Sequence, residues 1–242
     1  MTSSSNTIKR LLLIVAAMTT LAGAGTIQAQ TTLLTYFNFN DNTSGSDPAT
    51  NPGLISDFGQ PTTIATNFGT ADVQNNSTGS SINKITGDLN GSALKLVAGT
   101  SQVENGNYIQ FSVATTGFQS LALSYAALRT STGFTTQTLS YSTNGTDFTN
   151  TGLSFSPTTS YSLAAFDLGA ITAINNSADV TFRLTFTGAS GSTGQNSLDN
   201  IQVTGVTAVP EPSTTAAGLL TIGALCWYQR RRFQILARSL FA

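Results

Sequence analysis

Apolar and polar residues alternate along much of the middle of the chain, with a period of two rather than the 3.6 residues of an amphipathic helix. The clearest case is the stretch 180–186, in which Val, Phe, Leu and Phe alternate with Thr, Arg and Thr. The same spacing occurs in 33–39, 108–113 and 121–125, and again on either side of Gln202. Each of these segments predicts a β-strand that buries one face and exposes the other.

Turn signals separate the predicted strands. One strand leads into Asn144-Gly145, a dipeptide typical of tight hairpins, and Phe148 follows on the predicted return strand. Segments rich in Gly, Asn and Ser lie between other strands, as at 40–51, and none of the strand-bearing region has the pattern of an ordinary helix. We therefore predict an all-β domain, a two-sheet antiparallel sandwich of the jelly-roll type.

The N-terminus has the features of a secretory signal peptide. Lys9 and Arg10 precede a mostly apolar stretch that continues to about Ala24. Ile27 and Ala29 then supply aliphatic and small side chains at the two positions that a signal peptidase reads. We predict a signal helix within residues 1–29, cleaved after Ala29 by signal peptidase, and an uncleaved N-terminal anchor is the alternative. In either case the chain is exported.

The C-terminal segment, residues 207–242, combines a helix-breaking triplet with a short apolar run. Pro210 and Pro212 fix φ and remove two backbone donors, so that a helix can begin only after them, at Ser213. Residues 214–228 contain no charge, and as a helix they would span roughly 22 Å, less than the ~30 Å hydrocarbon core. Arginines follow directly. The segment predicts a single short transmembrane helix, with a buried core helix as the alternative.

The order of these parts resembles the PEP-CTERM sorting signal of Gram-negative bacteria. The matching residues are a Pro-Glu-Pro motif with its neighbours and a basic cluster: Val209, Pro210, Glu211, Pro212, Ser213, Arg230, Arg231 and Arg232. Residues 233–242 continue past the arginines, where members of the family usually end sooner. The resemblance implies that an exosortase-type membrane transpeptidase cuts near the motif. A precursor anchored in the inner membrane would then pass to the cell envelope or the extracellular matrix.

Between these ends, residues 30–206 form one predicted ectodomain with an acidic balance. It has four basic and ten acidic residues, and its formal charge of −6 is hidden by the whole-chain value of −1. Nucleic-acid binding, which needs a basic patch, is therefore excluded. The chain has no histidine, and its single cysteine, Cys226, lies in the apolar tail. These absences exclude Ser-His-Asp and Cys-His hydrolases, and histidine or thiolate metal sites.

A second resemblance concerns the ectodomain. The order of segments 37–40, 89–94, 141–148 and 198–203 is similar to that of jelly-roll domains of the MAM and carbohydrate-binding-module type. This resemblance implies that the opening and closing strands lie side by side.

The same resemblance implies a structural calcium ion, held by Asn40 or Asp41 together with Asp199. Asn40 stands where the family usually has an acid, so that Asp41 or a backbone carbonyl would have to compensate. Calcium takes six to eight oxygen ligands, and further Asn and Asp residues follow Asn40 in the chain. The alternative is that these residues only cap turns.

Sugar binding and glycoside hydrolysis require different residues. Because the ectodomain has no tryptophan, an aromatic platform for a sugar would have to come from its tyrosines. The candidates are Tyr36, Tyr108, Tyr125, Tyr141 and Tyr161, and the alternative is that they are core residues. A hydrolase pair would have to combine Glu104, the only glutamate here, with an aspartate. We therefore expect a non-enzymatic surface or matrix protein associated with extracellular polysaccharide. The alternatives are a calcium-dependent carbohydrate-binding module, and a glycosidase or lyase.

Overall fold

The computed structural model describes residues 30–40 and 54–208, together with Gly223, Trp227 and Arg230. Residues Gln30–Ala208 form one compact unit, which includes the predicted ectodomain and contains every strand given below.

Twelve strands lie within the described part of this unit, with three short 3-10 turns between them. The strands are β1 (Thr31–Phe37), β2 (Phe58–Gly59), β3 (Ala65–Thr66), β4 (Val73–Thr78), β5 (Ser92–Val97), β6 (Tyr108–Val113), β7 (Phe118–Arg129), β8 (Thr136–Ser142), β9 (Thr149–Phe155), β10 (Ser162–Asp167), β11 (Val180–Thr187) and β12 (Gln195–Thr207). The all-β prediction is confirmed for this unit, because each segment predicted from its alternation is a strand or lies largely within one.

The strands form two antiparallel sheets. Sheet I contains β1, β2, β4, β5, β7, β10 and β12, and sheet II has the order β3-β6-β11-β8-β9. The long strand β12 is central in sheet I, since it pairs with β7 along one edge and with β5 and then β1 along the other. From β5 to β12 the chain passes back and forth between the sheets, apart from the β8–β9 hairpin. The predicted two-sheet sandwich is confirmed, and this winding is that of a jelly roll.

The first and last strands of the unit are neighbours. In the β1–β12 pair, Phe37 lies opposite Ile201 and Tyr36 lies opposite Gln202. Phe37 and Ile201 belong to the buried core, and strand geometry directs the next residue of each strand to the other face. The predicted adjacency of the opening and closing strands is confirmed, and polar residues of both lie together on the outer face of sheet I.

Both sheets contribute their inward faces to one core. In β11 the side chains of Val180, Phe182, Leu184 and Phe186 are buried, whereas Arg183 is only partly buried, and the polar Thr181 is the one intervening residue of the alternation that is also buried. The apolar side chains therefore hold sheet II against sheet I, and Arg183 remains available on the outer surface.

The predicted hairpin is present. Strands β8 and β9 pair antiparallel, and Asn144 and Gly145 lie in the connection between them. Gly145 has φ of +76°, a left-handed conformation that favours glycine, and the Oδ1 atom of Asn144 accepts the backbone N–H of Asp147 at 2.9 Å. Phe148 lies one residue before β9 rather than within it. The turn thereby returns Phe148 toward the outer face of sheet II.

A second compact unit comprises Met1–Ala29 and Val209–Ala242, and it is described by only three residues, all helical and exposed. The predicted signal helix in 1–29 lies outside the described residues, as does nearly all of the predicted transmembrane helix in 214–228. Within the described part of the chain, no helix has both the length and the apolar character needed to cross a bilayer.

Candidate functional site

A polar loop, residues 79–91, is hydrogen-bonded to the outer face of sheet I. The backbone N–H of Ser80 donates to Oδ2 of Asp199 at 2.6 Å. The side-chain amide of Asn200 donates to the carbonyls of Ser80 and Ile82, both at 2.8 Å. These bonds join the loop to the middle of β12, so that polar groups of the sheet are buried beneath it.

Asp199 is the buried acid of this network, with 1% of its surface exposed. Its two carboxylate oxygens accept the backbone N–H groups of Asn200 and Ser80, at 2.8 and 2.6 Å. Burial raises the pKa of Asp199 to about 7 against the lowering effect of these two bonds, and the nearby charges of Asp88 and Asp57 add to the rise. Asp199 therefore changes its protonation near neutral pH.

Tyr36 links two acceptors of the same network. Its hydroxyl lies 2.6 Å from Oδ1 of Asn200 and 2.7 Å from Oδ2 of Asp88, although it has a single proton to donate. Burial, followed by the contact with Asp88, raises the pKa of Tyr36, so that the phenol stays neutral. Asp88 also accepts the side-chain amide of Asn38 at 3.1 Å.

Asn40, one of the predicted calcium ligands, lies at the other end of the network. Its Oδ1 atom accepts the backbone N–H of Ser92 at 2.8 Å, and its Nδ2 atom is 3.5 Å from Oδ1 of Asp88. The structure thus brings Asn40 and Asp199 into one network. They are connected through intervening side chains, and no hydrogen bond joins them directly in the described ranges.

The fit of this network to calcium is partial. Asp41, the third predicted ligand, lies outside the described residues. Among the residues that are described, no three acidic, histidine or cysteine side chains converge as a metal site would require. The oxygen of Asn40 is already occupied by a backbone N–H. Calcium at Asn40, Asp41 and Asp199 stays a prediction, and it depends on Asp41 for the charge that Asn40 lacks.

Glu104 lies beside an aspartate that the sequence did not single out. The buried Glu104 accepts the backbone N–H of Gly69 at 3.2 Å and the side-chain amide of Asn107. Burial, and then the neighbouring Glu104, raise the pKa of Asp72, whose carboxyl group is hydrogen-bonded to that of Glu104. Glycoside hydrolysis needs carboxyl groups at least roughly 5 Å apart. This pair is therefore suited to sharing a proton rather than to cleaving a glycoside.

The outer face of sheet II carries a cation between two aromatic rings. The guanidinium carbon of Arg183 is 3.9 Å from the ring centroid of Tyr108 and 3.4 Å from that of Phe148. The Nε and Nη2 atoms of Arg183 both donate to Oε1 of Gln110, at 2.9 and 2.7 Å. We call Tyr108, Gln110, Phe148 and Arg183 the arginine platform. Cation–π contacts and hydrogen bonds together fix the orientation of its guanidinium.

The sheet explains how these four side chains meet. Arg183 lies on β11, in register with Gln110 on β6 and with Ser140 on β8. Tyr108 precedes Gln110 by two residues and so shares its face of β6. The β8–β9 hairpin supplies Phe148 from the other side. Three elements of the sandwich therefore determine the geometry of the arginine platform.

A shallow polar cleft adjoins the arginine platform and shares Gln110 with it. Its lining comes from β3, β6, β11 and the neighbouring turns: Thr62, Thr63, Ala65, Gln110, Phe111, Ser112, Gly145, Asp179 and Thr181. The hydroxyl groups of Ser112 and Thr181 are 2.8 Å apart, and Asp179 is the one carboxylate in this lining. Hydroxyl and amide groups beside aromatic rings suit a ligand with many hydroxyl groups.

The five tyrosines that could have formed an aromatic platform lie in different surroundings. Tyr36 and Tyr125 are fully buried, and Tyr141 packs against the core. The hydroxyl of Tyr161 donates to the carbonyl of Thr78 at 2.7 Å, on the side of sheet I. The core interpretation therefore holds for three of these tyrosines, and Tyr108 alone belongs to the arginine platform.

Sequence reasoning missed three members of the arginine platform, Gln110, Phe148 and Arg183. A signal was present for two of them, because Gln110 and Arg183 occupy outward positions in strands predicted from their alternation. The missing information was the strand order. It places β6 beside β11, although about seventy residues separate them in the chain.

The residues of the predicted sorting motif lie almost entirely beyond the described part of the chain. Arg230 is described, and it is helical and exposed. The remaining motif residues are outside it: Val209, Pro210, Glu211, Pro212, Ser213, Arg231 and Arg232. The support for the sorting signal therefore comes from the sequence alone.

No family model matches the chain, and no curated protein matches its sequence. Solved structures do match it. The K3 adhesin domain of Lys-gingipain from Porphyromonas gingivalis W83 is 14% identical, with a TM-score of 0.42 over 72% of this chain and 99% of that one. A family 35 carbohydrate-binding module from Clostridium thermocellum is 16% identical, with a TM-score of 0.36 over 72% and 98%. TmCBM61, solved with β-1,4-galactotriose, is 10% identical, with a TM-score of 0.38 over 60% and 88%.

Proposed function

We propose that this chain is an exported, non-enzymatic surface or matrix protein whose β-sandwich binds polysaccharide on the outer face of sheet II. The arginine platform is the observation that carries the proposal. Sugar sites combine aromatic surface with a few fixed polar groups, and the rings of Tyr108 and Phe148 lie beside Gln110 and the hydroxyl-lined cleft. Because the guanidinium of Arg183 is held in place, ordering it on binding costs little entropy.

Binding without cleavage suits this surface better than hydrolysis. Cleavage of a glycosidic bond needs two carboxyl groups facing one another across the sugar, and Asp179 is alone in the lining of the cleft. The contacting pair of Asp72 and Glu104 belongs to the region around Gly69 and Asn107 rather than to the cleft. The glycosidase or lyase alternative would require polysaccharide cleavage that disappears in Glu104→Gln.

A calcium-dependent carbohydrate-binding module is the second candidate. It is favoured by the crowding of negative charge on the side of sheet I, where Asp57 and Asp88 both act on the buried Asp199. A bound cation would relieve that repulsion. This candidate predicts that a chelator abolishes polysaccharide binding and that Asp199→Ala does the same.

The binding proposal predicts an effect of single ring deletions. In affinity electrophoresis of the full chain through gels containing a panel of polysaccharides, Phe148→Ala should weaken binding about tenfold, because a sugar loses part of its packing surface. Phe58→Ala removes an equally large and more exposed ring, 52% exposed, from sheet I and is the matched control. Equal losses in both variants would place binding elsewhere.

Export and sorting are proposed from the two ends of the chain. The signal peptide of 1–29 would deliver the chain to the inner membrane, where the PEP-CTERM-like segment 207–242 would hold it until an exosortase cuts near Pro-Glu-Pro. The processed protein would remain at the cell envelope or in the extracellular polysaccharide. This distribution would place the arginine platform in contact with its ligand.

The sorting proposal is tested by replacing Pro210 and Glu211 together with alanine in the full chain. We expect the unprocessed precursor to accumulate in the membrane fraction, since the motif read by the transpeptidase is gone. Pro61→Ala, at an exposed site in the sandwich, is the control for loss of a proline. Processing at the normal rate in the double variant would contradict the proposal.

A further inference from the structure

The guanidinium of Arg183 has one unoccupied edge. Nε and one N–H of Nη2 are directed to Gln110, whereas Nη1 has no hydrogen-bond partner among the described residues. Rings cover both faces of the group. The edge open to a ligand is therefore the end of the group where Nη1 and Nη2 lie side by side.

Arg183 also lacks a counter-charge. No carboxylate in the described ranges comes within ion-pair distance of it. The other arginine of the sandwich, Arg129, differs, because its guanidinium donates to the backbone carbonyls of Pro157, Thr130 and Ser131. Arg129 thus serves the fold, and Arg183 keeps hydrogen-bonding capacity that the fold does not use.

The free edge matches one chemical group best. Two parallel N–H groups at the end of a guanidinium fit the two oxygens of a carboxylate, and such charge-assisted pairs are roughly twice as strong as neutral hydrogen bonds. A sugar hydroxyl would engage only one of these donors. Because Arg183 is partly buried between the flanking rings, the attraction is less screened than it would be on an open surface.

The negative charge of the sandwich favours a polysaccharide ligand whose carboxylates are widely spaced along its chain. Residues 30–206 carry a formal charge of −6, and Asp179 lines the adjoining cleft. A densely charged polyanion would bring further carboxylates near Asp179 and near the exposed Asp147, which directly precedes Phe148. At physiological salt, interactions between exposed charges more than ~8 Å apart are largely screened. A single carboxylate bound at the end of the guanidinium would therefore interact mainly with Arg183.

We propose that the arginine platform recognises a carboxylate-bearing sugar, such as a uronic acid, set sparsely along an otherwise neutral polysaccharide. This inference rests on the proposed function, since it names the ligand class of the same site. The neutral sugars on either side would occupy the cleft and pack on Tyr108 and Phe148. The carboxylate would lie at the free end of the guanidinium of Arg183.

The experiment compares three probes with the full chain in detergent by isothermal titration calorimetry. They are a xylan with occasional glucuronic acid branches, the same xylan after reduction of its carboxyl groups, and polygalacturonate. We expect the branched acidic xylan to bind at least tenfold more tightly than the other two. Equal binding of the acidic and reduced xylans would overturn this inference and leave the proposed function standing. Absence of binding to all three and to a wider neutral panel would overturn both.

Variants then assign the preference to one side chain. Arg183→Gln should abolish the tenfold preference for the acidic xylan over the reduced xylan. Arg183→Lys should keep only part of this preference, since an ammonium group lacks the two parallel N–H groups of a guanidinium. Asp179→Asn should strengthen binding of the acidic xylan by two- to threefold. Lys84→Gln, which removes an equal charge from the exposed loop beside sheet I, should change nothing. A preference that survives Arg183→Gln while Lys84→Gln removes it would contradict the assignment.

Discussion

Replacing Asn200 by leucine is expected to lower the free energy of unfolding by about 4 kcal/mol. Asn200 is buried, and its side chain donates to the carbonyls of Ser80 and Ile82 and accepts the hydroxyl of Tyr36. A leucine would leave the two carbonyls without these donors, at a cost of about 1 kcal/mol or more for each, whereas Tyr36 would keep Asp88 as its acceptor. Its β-carbon would also be strained, because Asn200 has φ of +54°.

Two further substitutions separate these causes. Asn200→Gly removes the hydrogen bonds but tolerates the left-handed backbone, whereas Asn200→Ala removes the same bonds and retains a β-carbon. We expect the alanine variant to be less stable than the glycine variant by about 1 kcal/mol. Both should be clearly less stable than the wild type.

Urea denaturation at fixed pH measures all three variants. A control at the exposed Asn76 of β4, Asn76→Leu, should change stability by less than about 0.5 kcal/mol. If Asn200→Leu were as stable as Asn76→Leu, the side chain of Asn200 would not be what holds the loop 79–91 on sheet I.

The second large effect is a loss of stability as the pH rises. Burial raises the pKa of Asp199 to about 7, from an ordinary value of 3.8, so that the folded state binds this proton more tightly than the unfolded state. The resulting stabilisation is fully present below pH 3.8 and is lost as the pH rises through about 7. Without calcium, the free energy of unfolding should fall by roughly 2 kcal/mol between about pH 5 and about pH 8. The raised pKa of Asp72 acts in the same direction.

Thermal unfolding across this range, in chelator, checks the pH effect. Asp199→Asn should flatten the profile, since an amide does not titrate, whereas Asp147→Asn at the exposed hairpin should leave it unchanged. A wild-type profile that rises toward pH 8 would contradict the assignment to Asp199.

Repeating the scan with calcium tests the metal prediction, because a cation bound through Asp199 should restore stability at pH 8 and have little effect at pH 5.

The sequence predicted the fold well because the signals for it are local. The alternation in β11 and the Asn144-Gly145 turn each determine their structure within a few residues. The adjacency of β1 and β12 came from a resemblance rather than from a local pattern. The structure confirms it in the register that sets Phe37 opposite Ile201.

The arginine platform could not be predicted in this way. Tyr108 and Arg183 are neighbours only because β6 and β11 pair, and Phe148 reaches them from the β8–β9 hairpin. Pairing between distant strands depends on the packing of the whole core, which no short window of sequence contains. The same applies to the contact between Asp72 and Glu104, which lie about thirty residues apart in the chain.

Amide chemical shifts would show on which face of the sandwich a sugar binds. The full chain, labelled with nitrogen-15 in detergent micelles, would be titrated with the tightest-binding oligosaccharide. We expect the largest shifts on β6, β11 and the β8–β9 turn, at and around Gln110, Arg183 and Phe148. Shifts concentrated instead on the loop 79–91 and β12, with the arginine platform unaffected, would contradict this expectation.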